Sequence, residues 1–190
     1  MLATPQHTTL RVRSSRLNVL EAHRATVTGA LHEGRDSGRA GRKIVLQGFG
    51  RHGWSTLASA RTGPLGRFRL SYLPRHLLSE RARLRFAGDS LGRPAQGLLG
   101  RLNVYRLAGA SWYGGGGGLA CGGSLTSSTL GVANKTLPCG TLVTLRYQGH
   151  TVRVPVIDRG PFVAGREFDL TEATKRALGF GDTGQVWSTG

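Results

Sequence analysis

The chain has 190 residues, 38% of them hydrophobic, with 30 glycines and seven prolines, enough for one large domain or two small ones. Its formal charge of +16 lies almost wholly in the first half: residues 1–106 carry 19 Lys and Arg against five Asp and Glu, and residues 107–190 carry seven against five. No run of 18 apolar residues occurs, which excludes a spanning helix, and no long 3.6-residue periodicity occurs, which excludes a helical bundle and leaves a mostly β chain rich in turns.

Residues 1–16 lack the apolar stretch of a signal peptide and are expected to be a disordered N-terminal segment. Residues 17–106 read as short strands at Asn18–Leu20, Ala25–Gly29, Lys43–Gln47, Ser55–Ala58, Arg67–Tyr72, Arg83–Phe86 and Leu102–Tyr105. Turns are expected between them at Gly34–Gly41, Gly48–Gly53, Thr62–Gly66 and Gly88–Gly100. Arg67-Phe-Arg-Leu-Ser-Tyr72 alternates apolar with polar residues, the period of a sheet with one wet face. About seven such strands predict a basic β-sandwich of immunoglobulin-like type, without the Cys…Trp…Cys signature of true immunoglobulin domains. Its charge is nearly all Arg and would attract polyanions such as nucleic acid, acidic lipid or anionic wall polymer; an Arg-decorated surface that only confers solubility is the plainer alternative. No helix-turn-helix, zinc-finger or RNA-binding motif is present, so no specific nucleic-acid partner is expected.

Leu107–Ala110 reads as a short joint. After Ser111-Trp-Tyr113 come five glycines, Gly114 to Gly118, a run too costly to order as a regular strand. A hairpin follows, with strands Thr141–Tyr147 and His150–Ile157 about a turn at Gln148-Gly149; Val152, Val154 and Val156 share its core face. Asp158-Arg-Gly-Pro161 ends the second strand. One helix is predicted over Leu170–Leu178, with Asp169 as N-cap, Glu172 completing a capping box and Gly179 as the left-handed stop. Cys121 and Cys139 are the only cysteines; an even count in a Gly-rich β segment points to one disulfide in an oxidising compartment, against two reduced buried thiols. That compartment implies export, which the missing leader does not match; a mature form or a start placed too far downstream is expected, with a protein that stays inside as the alternative. No zinc-like spacing surrounds them, and no metal or cofactor is expected.

Four blocks stand in order over the last 80 or so residues: Ala110-Ser-Trp-Tyr-Gly114, Gly131-Val-Ala-Asn-Lys-Thr-Leu-Pro-Cys-Gly-Thr141, Val156-Ile-Asp-Arg-Gly-Pro-Phe162 and Gly165-Arg-Glu-Phe-Asp-Leu-Thr171. Together they strongly resemble the rare lipoprotein A (RlpA)-like double-psi β-barrel family. The resemblance implies a six-stranded barrel over residues 107–190, with a groove that binds extended glycan. It further implies a protein active on cell-wall peptidoglycan, secreted or wall-associated, with lytic transglycosylase-type cleavage in which Asp158 is the general acid. Ordinary glycosidases need two carboxylates, but a transglycosylase uses the sugar's own C6 hydroxyl as nucleophile, so one carboxyl suffices to give and take the proton. Arg159 adjoins Asp158, but successive strand side chains point apart.

The resemblance places Trp112, Tyr113, Asn134, Lys135, Arg159, Arg166 and Asp169 along the substrate groove. Each has a plainer reading: core aromatics for Trp112 and Tyr113, solvated charges for Arg159 and Arg166, and the helix cap for Asp169. Two departures from the family favour the alternative of a non-catalytic, expansin-like glycan-binding module. No Asp or Glu lies between Asp89 and Asp158, where active members carry a Glu, and Asn134 replaces the usual His. The expected partner is the glycan strand, with anionic wall polymer as a candidate for the basic half, and the chain is expected to act as a monomer.

Overall fold

The computed structural model describes residues 4–34 and 36–190 and divides into two compact units, Met1–Val104 and Tyr105–Gly190. In the first, strands β1 (Thr8–Arg16), β2 (Asn18–Leu20), β3 (Ala25–Glu33), β4 (Asp36–Ser37), β5 (Lys43–Gly50), β6 (Gly53–Arg61), β7 (Arg67–Tyr72), β8 (Leu78–Phe86) and the first part of β9 (Ala95–Tyr113) form two sheets. One has β3 between β1 and β7, with β4 also paired to β3; the other runs β6-β5-β8-β9. Three long strands against four give the immunoglobulin-like sandwich.

Period-two alternation builds its core. In β7, Phe68 and Leu70 are buried while Arg67, Arg69 and Ser71 are exposed. Val27, Leu31, Phe68 and Leu70 of the first sheet share a core with Ile44, Leu46, Leu84, Phe86, Leu102 and Val104 of the second. The buried Glu33 is compensated by Arg42, which donates to it at 3.1 Å and also pairs with Asp89.

All seven expected sandwich strands lie on observed ones, most of them longer than predicted. The N-terminal segment departs from expectation: residues 8–16 are not disordered but pair with β3 over its full length. An edge strand needs only its backbone ladder and one inward apolar side chain, here Leu10, so it carries little apolar signal. Residues 1–3 of that segment, and Arg35 of the Gly34–Gly41 turn, lie outside the described residues.

The second unit is a closed six-stranded barrel. After the short pair β10 (Gly117–Gly118) and β11 (Ser124–Leu125) come β12 (Val132–Ala133), β13 (Leu142–Tyr147), β14 (His150–Asp158), β15 (Phe168–Thr171), α1 (Glu172–Leu178) and β16 (Thr183–Ser188). The ring order is β15-β12-β14-β13-β16-β9, closed by β15 on β9. Two pairings, β12–β14 and β15–β9, are parallel. Val132, Val143, Leu145, Val154, Val156, Phe168, Leu170 and Leu178 fill the interior. Gln148 and Gly149, both at positive φ (46° and 93°), make the tight turn of the β13–β14 hairpin.

Three local expectations are corrected. Leu107–Ala110 is strand rather than joint, paired with Gly184–Trp187 of β16. Two of the five glycines, Gly117 and Gly118, do pair, with Leu125 and Ser124. The helix starts at Glu172, and its N-cap is Thr171, whose hydroxyl accepts from Thr174 N at 3.3 Å. Asp169 sits two residues earlier, inside β15, where Phe168 and Leu170 must both face the core and the chain has not yet turned. Gly179, at φ 63°, closes the helix as expected.

Candidate active site

The bond ladders set Asp158, Ala133, Asp169 and Ser111 in one row across β14, β12, β15 and β9. Paired residues share a face, and Ala133 separates the two carboxylates by two strand spacings, roughly 10 Å at the backbone. Asp158 enters the row through a register shift: Val132 pairs with Val156, but Ala133 pairs with Asp158, so Ile157 is skipped. Bulges of this kind re-aim side chains.

Each acid is held by named donors. Asp158 Oδ1 accepts from the backbone N–H groups of Ala120 and Arg159, both at 2.9 Å. Asp169 Oδ1 accepts from the Ser111 hydroxyl at 2.7 Å. The loop that delivers Ala120 is fastened twice more, by Cys121 N donating to Ile157 O at 3.2 Å and by the Cys121–Cys139 disulfide.

Tyr113 lies two residues beyond Ser111 on the same face of β9. Its hydroxyl is buried beside the Asp158 carboxylate and makes no hydrogen bond of good geometry. Burial, and then the negative charges of Asp158 and Asp169, raise its pKa well above the ordinary tyrosine value. The neutral phenol therefore contributes stability that is full below about pH 10 and is lost as pH rises beyond it. Tyr113→Phe is expected to match wild type within about 1 kcal/mol at pH 7. Between pH 9 and 11 its urea midpoint should fall less than that of wild type; equal falls would contradict this placement.

Trp112 does not join Tyr113. Strand alternation turns it to the opposite face, level with the buried Leu170. There its indole N–H donates to Asp182 at 2.9 Å, and the Lys175 ammonium stands 3.8 Å from its ring centroid. Hydrogen bonds from Lys175 and then Trp112 hold the Asp182 carboxyl below its ordinary value. Asp182 reads in sequence as a simple turn residue, and nothing in its Gly-rich surroundings signals a partner 70 residues away.

Asn134 and Arg159 use their side chains for internal bonds. Asn134 is 7% exposed; its amide donates to Glu167 O at 3.0 Å and accepts from Thr136 N and Leu137 N at 3.0 and 2.8 Å. Arg159 donates to the carbonyls of Asn134 and Leu137 at 2.9 and 2.7 Å, and to Cys139 Sγ at 3.0 Å. Together they brace the loop that carries Cys139. Asn134→Ala is expected to cost about 1–3 kcal/mol in thermal or urea unfolding, because it leaves partly buried backbone groups unpaired.

Lys135 follows β12 and is exposed, and Arg166 precedes β15; neither has an ion pair among the described residues. Phe162, 82% exposed just after the Asp158-Arg-Gly-Pro161 turn, is a surface aromatic that the sequence reading left unassigned.

Residues 107–187 match the profile of a family described as "Lytic transglycolase". Over 80 residues the chain is 41% identical to "Probable endolytic peptidoglycan transglycosylase RlpA" of Synechocystis sp., covering 40% of this chain and 25% of that protein. Over 75 residues it is 41% identical to the protein of the same name from Aquifex aeolicus, covering 37% and 33%. It is also 40% identical over 87 residues to the endolytic peptidoglycan transglycosylase RlpA of Pseudomonas aeruginosa, covering 43% and 26%. The chain thus spans a quarter to a third of the length of these relatives. The likeness is confined to residues 107–187, whose closed barrel is an RlpA-like double-psi β-barrel.

Proposed function

We propose that the barrel cleaves peptidoglycan glycan strands by lytic transglycosylation, with Asp158 as general acid. The observation that carries this is the row on the barrel wall: a carboxyl at the end of β14, a second acid two strands away, and between them the small Ala133. In the reaction, Asp158 gives its proton to the glycosidic oxygen as the C1–O bond breaks. The muramyl C6 hydroxyl then bonds to C1, and its proton returns to the Asp158 carboxylate, so no water or second nucleophile is consumed. Asp169 faces the same surface with its negative charge fixed by Ser111, suited to a sugar that becomes cationic. Tyr113 stays neutral and buried beside Asp158, and Phe162 offers an exposed ring for sugar stacking. The work takes place outside the cytoplasm, where a disulfide persists.

A second reading has its own support. The loop over Asp158 contributes a backbone N–H and no carboxylate, because no Asp or Glu lies between Asp89 and Asp158. A barrel so equipped would hold glycan without cutting it. Digestion of purified peptidoglycan, with and without stem peptides, separates the two. Fragments ending in 1,6-anhydro-muramic acid, read by mass spectrometry, are the expected products. A chain that sediments with the glycan and releases none would retire the enzyme and leave the binding module.

A further inference from the structure

The outer face of the β1–β3–β7 sheet is an array of like charge. Arg11 and Arg67 both pair with Ala30, Ser14 and Arg69 with Thr28, and Arg16 and Ser71 with Thr26. Paired residues share a face, so four arginines stand on one surface in rows about 6.8 Å apart along the strands. Arg13 adds a fifth from the bulge between Val12 and Ser14. All five are exposed, and none of their guanidinium groups has an ion pair or hydrogen-bond partner among the described residues.

Like charges across a sheet destabilise it, and the other sheet of the same unit relieves them internally. There Arg81 lies 4.4 Å from the Phe49 ring centroid and Arg83 4.0 Å from that of Trp54, and Arg83 also donates to Gln47 and Gln96. The β1–β3–β7 face has no such relief. Its floor is low, because Ala30 is small, and a cavity of about 720 Å³ lies over it, lined among others by Arg11, Arg13, Ser14, Thr28 and Arg67 and reaching Phe68. Gly29 has no freedom to grow: a Cβ there would clash with the Arg11 carbonyl oxygen. The Ser14 and Thr28 hydroxyls, 2.6 Å apart, add polar groups between the guanidinium rows.

We propose that this face binds a linear phosphodiester polymer of the cell wall, a polyol-phosphate chain laid across the arginine rows. Guanidinium forks match phosphate oxygens in pairs, and the flanking hydroxyls serve the polyol. Phe68, the one Phe, Tyr or Trp lining the cavity, is 5% exposed and alternates to the core side of β7, so no such ring is open to stack on the bases of a single-stranded nucleic acid. Choosing a wall polymer over other phosphodiesters rests on reading the barrel as wall-active.

The test uses the full chain and purified polyol-phosphate polymer freed from glycan, so that a barrel without activity does not affect the result. Titration is run from 0.05 to 0.5 M salt for wild type and two folded triple variants. Arg11→Ala/Arg67→Ala/Arg69→Ala is expected to weaken binding at least about ten-fold at low salt and to reduce the log–log salt slope by roughly 2–3. The charge-matched variant Lys43→Ala/Arg61→Ala/Arg85→Ala, on the other sheet, should stay within about three-fold of wild type. Equal losses in both triples would reduce the effect to net charge and overturn the proposal, as would a wild-type slope near zero. Single-stranded DNA or anionic vesicles bound as tightly, with the same dependence on the first triple, would overturn the assignment to a wall polymer.

Discussion

Asp158→Asn is expected to lower release of 1,6-anhydro ends by about 10²–10⁴ while leaving the fold and glycan binding in place. The amide oxygen of Asn still accepts from Ala120 N and Arg159 N, so the loop over the site keeps its contact through Ala120. What disappears is the proton that must reach the leaving oxygen and the base that must take one back. Asp158→Ala tests a different quantity. It strips the acceptor from two backbone N–H groups and should cost about 1–3 kcal/mol in unfolding free energy as well as activity. An Asn variant within ten-fold of wild type, in digests read by mass spectrometry, would remove Asp158 from the acid's role.

Removing the disulfide with Cys121→Ser/Cys139→Ser is expected to destabilise the chain by about 3 kcal/mol on the loop-entropy estimate. The bridge spans 18 positions, and it ties the loop over Asp158 to the loop braced by Asn134 and Arg159. Losing it frees Ala120 to leave the Asp158 carboxyl, so glycan turnover should fall along with stability. Thermal unfolding with and without reductant checks the first part: reductant should lower the midpoint of wild type to that of the double variant and leave the variant unmoved. A wild type indifferent to reductant, with the bridge shown to be broken, would sink the idea.

Much of the fold was legible because it rests on short-range pattern. Arg67–Tyr72 shows its face by alternation alone, the β13–β14 hairpin shows its turn in Gln148-Gly149, and Gly179 marks the helix end. Four ordered blocks identified the barrel. What failed to show was whatever depends on register. Thr8–Arg16 is an edge strand held mainly by backbone bonds, which leave no trace in side-chain periodicity. Trp112 and Tyr113 are neighbours in sequence and so invite a joint role, yet a strand sends them to opposite faces. Asn134 reads as a polar residue beside a glycan motif, and only its internal bonds show it to be a brace. Asp169 fits a capping box by spacing, but the core requirement of Phe168 and Leu170 keeps the chain extended past it. Its place beside Ala133 follows from the barrel's closure, which no local window contains.

The skipped residue at Ile157 has a consequence for how this barrel tolerates change. Asp158 reaches its row because β14 carries one more residue than its partner strand at that point. The position of the carboxyl is therefore metered by residue count. Lengthening the Gln148-Gly149 turn would leave the count between Val156 and Asp158 untouched, whereas adding or losing a single residue within Val156–Asp158 would deliver a different side chain to Ala133. Along this strand end, substitutions adjust the chemistry, while insertions and deletions reassign it.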